Sequence, residues 1–247
     1  MSRSQHPHIV QVQDRWLENF PAQKVFIQTE LLDGNLSQYI EFHRNAGRTI
    51  GYRDVWKITL DIVDALTYAH ELGWSHRNLK PANGILSIIC SNRLLMAVLA
   101  KKIGSDQFGL PSFTWKVGDW GLTPALIPPP SDDEPQTYIP TSDDAYRAPE
   151  HRHSPSTALD IWSVGCILFE LATNGVIAFP VSPDDPTYIV ENGKAPSKLA
   201  TAKTPLVVSD PEGRINHVLN WCLNPNPALR PTARHLGIYI RGFAERP

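Results

Sequence analysis

Ile161 to Ala172 (Ile-Trp-Ser-Val-Gly-Cys-Ile-Leu-Phe-Glu-Leu-Ala) is apolar on nearly every side of a helical wheel. Such a helix has no face to give to water, so it belongs at the centre of a domain with other elements packed around it. The chain supplies amphipathic partners. Tyr52 to Leu72 sets Val55, Ile58, Ile62, Leu66 and Ala69 three and four residues apart on one face, and Gly73 stands where that helix should end. Ile215 to Cys222 and Thr232 to Phe243 read as two further helices, parted by the turn Asn224-Pro-Asn-Pro227.

Strand signals are few and come early. Ile9 to Trp16 and Lys24 to Glu30 alternate apolar and polar residues, and they are joined across Asn19, Pro21 and Ala22, which reads as a strand pair. From Gly34 onward the pattern turns helical. No internal repeat is found. The expected architecture is a small strand pair followed by a larger, mainly helical body. Leu126 to Thr141, rich in proline, acid and hydroxyl, is expected to be an exposed loop, and Ala178 to Asp210 to be irregular.

Composition narrows the class. With 42% hydrophobic and 19% charged residues, 247 residues suit one or two globular domains and not a disordered tail, a coiled coil or a collagen-like fibre. A net charge of -2 supplies no basic field for a phosphate backbone, so nucleic acid is not an expected partner. Cys90, Cys166 and Cys222 are odd in number and far apart, which suggests neither a disulfide framework nor a zinc site and fits a reducing compartment, cytoplasm or nucleus. No targeting segment is expected at the start, where Arg3 has no apolar run behind it. The apolar run Ile85 to Ala100 is shorter than the roughly 20 residues that span a bilayer and carries Arg93, so no membrane span is expected.

Three segments in order carry the chemistry: His76-Arg-Asn-Leu-Lys-Pro-Ala-Asn83, Lys116-Val-Gly-Asp-Trp-Gly121 and Tyr146-Arg-Ala-Pro-Glu150. They resemble the catalytic loop, the D-F-G and the A-P-E of eukaryotic protein kinases. Asp160-Ile-Trp-Ser-Val-Gly165 is similar to that family's central helix. Arg230, in Asn226-Pro-Ala-Leu-Arg-Pro231, stands where the family pairs a late arginine with Glu150. His6-Pro-His-Ile-Val10 resembles the turn before the fourth strand, and Thr29-Glu-Leu-Leu32 the hinge. Lys80, two places after the base position, resembles the serine/threonine branch.

The resemblance covers essentially the whole chain, 1–247. It implies an α+β, bilobal protein kinase-like fold with an incomplete small β lobe (1–32) and a mainly α-helical large lobe (33–247). Residues 83 and 119 are further apart than is usual for the family, so an insert is expected near 87–110. The resemblance also implies cofactor contacts from Glu30, Leu32 and Ile85. Structural or regulatory roles fall to His76, Arg77, Trp120, Gly121, Glu150, Asp160 and Arg230. The implied cofactors are ATP and Mg²⁺ if the chain is active, and none otherwise. The implied partner is a protein, as substrate or ligand.

Phosphoryl transfer to a hydroxyl needs a metal to neutralise polyphosphate, which hard oxygens such as those of Asp119 and Asn83 supply. It needs a cation near the moving phosphoryl group, the place of Lys80. It also needs a carboxylate to take the hydroxyl proton, and there the chain has Asn78. An amide has no basic oxygen and cannot be that base.

Other departures point the same way. The first glycine is Gly34, so no Gly-rich loop precedes the hinge, and neither the third-strand lysine nor its glutamate is found; Ala22-Gln-Lys24 fails as that motif because Glu30 follows too closely. Asp143 replaces an activation-segment threonine, and Trp120 replaces the D-F-G phenylalanine. Two activity readings follow, an impaired domain that binds proteins and an active ATP-dependent serine/threonine kinase whose N-terminal strands are missing from this chain, with Asn78 tolerated.

Plainer roles compete at several positions. Asp160 and Arg230 read as fold-holding, and His76 as a packed core histidine. Asn83 and Asp119 stand as metal ligands or as hydrogen-bonding braces. Arg77 is placed to receive a phosphate on Thr137, Tyr138, Thr141 or Ser142, against a loop that is never modified. His151 and His153 read as surface residues. With two strands, the surface around Leu32, Ile85 and Leu86 is expected to be partly uncovered.

Overall fold

The computed structural model describes residues 6–18, 24–83, 100–105, 111–120, 145–150, 156–179 and 204–244. Ile85, Leu86, Gly121, Asp143, His151, His153 and the loop hydroxyls from Thr137 to Ser142 lie outside them, as do most of the apolar run Ile85 to Ala100 and the Leu126 to Thr141 loop. The chain forms two compact units, one of residues 1–39 and 81–119, the other of 40–80 and 120–247.

The first unit holds the strands. β1 (Val12–Glu18) and β2 (Lys24–Thr29) pair antiparallel, with Trp16 opposite Phe26 and Leu17 opposite Val25. The rings of Trp16 and Phe26 stack at 5.3 Å. β3 (Ala100–Ser105) and β4 (Pro111–Trp115) make a second antiparallel pair, so the stretch read as an insert contributes a strand from residue 100. Ile9 alternates with β1 in sequence yet joins another partner, bridging to Val117 in parallel. The strand expected to begin at Ile9 therefore starts at Val12, because the backbone groups of residues 8–10 are taken up by Val117.

The expectation of an uncovered surface around Leu32 needs correction. Leu32 is 1% exposed and packs against Val10, which the Ile9–Val117 bridge holds in place. Apolar surface is uncovered at the neighbouring Leu31, 67% exposed, and on the hairpin, where Leu17, Val25 and Ile27 are 58%, 64% and 57% exposed. The last three lie on one face of a two-stranded ribbon, which has no third strand or helix on it among the described residues.

The second unit is helical. α1 (Leu36–Asn45) begins in the first unit and ends here, followed by α2 (Tyr52–Glu71), α3 (Ala158–Ala172), α4 (Arg214–Cys222) and α5 (Ala233–Ala244). Every residue of α3 from Leu159 onward is buried, as its all-round apolar sequence demands. Full burial of Trp162, Leu168, Phe169 and Leu171 contributes roughly 1.5–3 kcal/mol each. α2 ends where Gly73 turns left-handed at φ 78°, its N–H donating to His70 O. α4 starts because the Asp210 carboxylate accepts the N–H groups of Arg214 and Ile215, two donors that a first helical turn leaves without partners.

α2 and α5 pack together through Trp56 edge-on to Phe243 and the ion pair of Arg241 with Asp64. Cys166 and Cys222 are buried free thiols, and burial pushes the Cys222 thiol up to about 12, so it stays protonated.

Candidate functional site

The loop after α2 is organised by one buried carboxylate. Asp160, in the first turn of α3, accepts the backbone N–H of His76 at 2.8 Å and of Arg77 at 2.6 Å, and His70 Nε2 lies 2.9 Å from its Oδ2. The first turn of a helix favours a carboxylate, which complements the helix dipole. Arg77 has φ 64°, an uncommon conformation for a side-chain-bearing residue, and its bond to Asp160 holds it there. Its guanidinium Nε donates to Ser75 Oγ at 3.0 Å.

His76 is fully buried, and its Nδ1 accepts the N–H of Asn78 at 3.3 Å. A ring nitrogen that accepts carries no hydrogen, so this contact selects the tautomer. The Trp120 ring packs edge-on to the His76 ring, 4.8 Å between centroids. Asn78 and Lys80 are half-buried around the buried Leu79. This unit thus brings His76, Arg77, Asn78, Lys80, Trp120 and Asp160 into one continuous segment of structure.

Further along the same unit, Arg230 Nη1 and Nη2 donate to the two oxygens of Glu150 at 2.6 and 3.0 Å. Its remaining donors reach Asn224 O and Ala158 O, and the guanidinium lies 4.9 Å from the Trp162 ring centroid. That is the bidentate geometry for which arginine is suited and lysine is not. Tyr146 Oη donates to Glu170 Oε2 at 2.6 Å, and the Ser163 hydroxyl donates to Tyr146 O. Burial raises the Glu170 carboxyl above the usual range, partly offset by the Tyr146 hydroxyl and by Arg44.

The first unit holds the other residues singled out from sequence. Asp119 is exposed, with φ 53°. The strand-like stretch before it is pinned by Val117 N–H to His8 O, Val10 N–H to Val117 O and the His8 ring to Trp115 O. Asn83 closes a 3₁₀ turn over Pro81–Asn83. Glu30 does more than lie at a hinge: its Oε1 accepts from Lys116 Nζ at 2.5 Å and from the Gln11 N–H at 2.9 Å. Sequence reading missed Lys116, His70, Tyr146 and Glu170 as partners. Their only signal was proximity to a motif, because the residues they meet are 24 to 90 positions away.

Asp119 offers an accessible carboxylate, and the Asn83 backbone belongs to the same unit. A carboxylate is an oxygen chemistry suited to Mg²⁺. Among the described residues no group of three or more His, Cys, Asp or Glu side chains is placed to hold a metal ion by itself. None of the described helices is long and apolar enough to cross a membrane.

Comparison with known proteins decides the family, because the model of the protein kinase domain matches residues 1–237. The chain belongs to the protein kinase family. It is similar to the sporulation protein kinase mde3 of Schizosaccharomyces pombe, 29% identical over 68% of this chain and 26% of that protein. It is also similar to the mitosis inhibitor protein kinase wee1 of the same organism, 26% identical over 92% of this chain and 24% of wee1. The probable serine/threonine-protein kinase nek2 of Dictyostelium discoideum is 24% identical over 96% of this chain and 49% of its own length. The chain therefore spans about a quarter to a half of these relatives. Its fold is that of an α+β kinase domain, with few strands and a mainly helical body.

Proposed function

We propose that this kinase domain is impaired in phosphoryl transfer and acts by binding protein partners. One observation carries the reading: Asp160 holds the His76–Arg77 start of the catalytic loop, yet the base position holds Asn78, whose amide cannot take a proton from a hydroxyl. Loss of a general base typically removes a factor of about 10² to 10⁴. The intact hydrogen bonding argues for a loop kept for its shape, and a shaped surface is what protein binding requires.

A second reading, a working ATP-dependent serine/threonine kinase, is favoured by Lys80 and by the exposure of Asp119. In that case Asp119 and Asn83 would hold Mg²⁺, Lys80 would face the transferring phosphoryl group, and Asn78 would orient the acceptor hydroxyl. Bound Mg²⁺ supplies neutralisation of the polyphosphate charge. Glu30, Leu32 and Ile85 would be the contacts to the nucleotide. A cytoplasmic or nuclear setting goes with either reading.

The test is phosphate transfer to a generic protein substrate by the chain and by Asn78→Asp, alongside thermal midpoints with ATP, Mg²⁺ and both. The impaired reading expects transfer near background in the chain and a rise of about 10²-fold or more in the variant. Robust transfer by the chain, unchanged in the variant, overturns it in favour of the working enzyme.

A further inference from the structure

Lys116 has no assigned part in phosphoryl transfer, yet it forms a tight polar contact with Glu30 within the first unit. Their side chains are each only 12% exposed and 2.5 Å apart. Glu30 Oε1 also accepts the Gln11 N–H, and Glu30 N–H donates to Gln11 O, so Glu30 continues the β1–β2 ladder by one rung. Lys116 precedes Val117, whose N–H and C=O are bonded to His8 and Val10, and it stands three positions before Asp119. One ion pair therefore joins the end of β2, where the hinge starts, to the segment that carries the exposed Asp119.

We propose that the Glu30–Lys116 pair is a positioning device that holds the Asp119 segment in register with the hinge, so that a Mg²⁺-bound nucleotide meets a preformed carboxylate. The inference rests on the reading that Asp119 and the hinge serve a nucleotide. Three physical points support it. A nearly buried pair is screened little by salt or water, so its geometry is held firmly. Asp119 sits at a positive φ that only its surroundings can maintain, and the bonds around Val117 are one such restraint. Glu30 Oε1 also accepts the Gln11 N–H, so the pair ties Lys116 to both strands of the hairpin at the hinge end.

The experiment uses the full chain and two variants, Lys116→Met and Lys116→Arg. Amide hydrogen exchange is read at Val10 and Val117, with amides of α3 as an internal reference. Titration with Mg²⁺-ATP and with ATP alone is followed by thermal midpoint. Lys116→Met is expected to speed exchange at Val10 and Val117 at least tenfold while the α3 amides keep their protection. It should also weaken Mg²⁺-ATP at least tenfold but leave metal-free ATP nearly unchanged. Lys116→Arg is expected to restore most of both effects. A uniform loss of protection across both units, with nucleotide affinity intact, would mark the pair as a general stabiliser and overturn the proposal. Unchanged exchange at Val10 and Val117 overturns it as well. If the unaltered chain binds no nucleotide but Val10 and Val117 respond as expected, the nucleotide reading fails and the positioning device stands.

Discussion

Asp160 accepts the N–H of Arg77 at 2.6 Å across 83 positions of sequence, and this single bond ties the start of the central helix to the loop that carries Asn78 and Lys80. With His76 N–H and His70 Nε2 it makes Asp160 a three-way acceptor at a fully buried site. Asp160→Ala strands two buried backbone donors, each costing about 1–3 kcal/mol. The expected loss is therefore about 3–5 kcal/mol, read from the urea midpoint at unchanged slope. Asp160→Asn, which keeps an acceptor but not the charge, is expected to lose less than half of that.

Arg230 is buried, satisfied on three sides and packed on Trp162, so its removal leaves Glu150 without its partner. Arg230→Met is expected to destabilise by about 3–5 kcal/mol. Arg230→Lys should recover little, since an ammonium cannot serve two carboxylate oxygens and two carbonyls in one plane. A double-mutant cycle with Glu150→Gln checks the pairing, and a coupling energy below about 0.5 kcal/mol would contradict it.

Helices were the legible part of this chain. The 3.6-residue period placed α2 at Tyr52 to Leu72 against the observed Tyr52–Glu71, the all-round apolar run placed α3, and the reading of α4 and α5 falls within a few residues. Periodicity reports which face of an element is buried but not what that face meets. Glu30–Lys116, His70–Asp160 and Tyr146–Glu170 were therefore invisible, each joining segments with no local relationship. Ile9 shows the limit in another way, because its alternation signals extended backbone without saying that Val117 is its partner. β3 carries two adjacent lysines and a glycine, so it has no alternating pattern to read. The candidate site was legible through motif order alone, which names the residues but not the braces behind them.

Gly165 marks the closest approach of α3 to the end of α4. A Cβ built there would lie 2.7 Å from Leu223 Cδ2 and 2.9 Å from Cys222 Cβ. Alanine favours a helix over glycine by about 1 kcal/mol, yet overpacking of a tight core typically costs about 1–3 kcal/mol. Since the Cys222 Cβ is fixed by its backbone, the steric effect wins. Gly165→Ala is expected to lower stability by about 1–2 kcal/mol, whereas the same change at exposed Gly242, where a Cβ meets nothing within 4 Å, should raise it slightly. Thermal midpoints of the two variants decide the matter, and equal shifts would show that the helices can move apart.

Glu170 makes stability depend on pH in a direction opposite to that of a salt-bridged carboxylate. Burial raises its carboxyl in the folded chain, so the folded state holds this proton more tightly than the unfolded state does. Its contribution is present in full below the ordinary carboxylate range and is lost as pH rises through the raised value, after which no further change follows. Glu170→Gln keeps an oxygen for the Tyr146 hydroxyl and has no charge to bury. The stability of the variant relative to the unaltered chain should therefore grow as pH rises through that window and then level off. Tyr146→Phe removes the hydrogen bond that favours the charged form, so it should widen the window upward. Urea unfolding of the three proteins across acidic to neutral pH measures both effects. A constant difference between Glu170→Gln and the unaltered chain over that range would show that folding does not shift the Glu170 carboxyl.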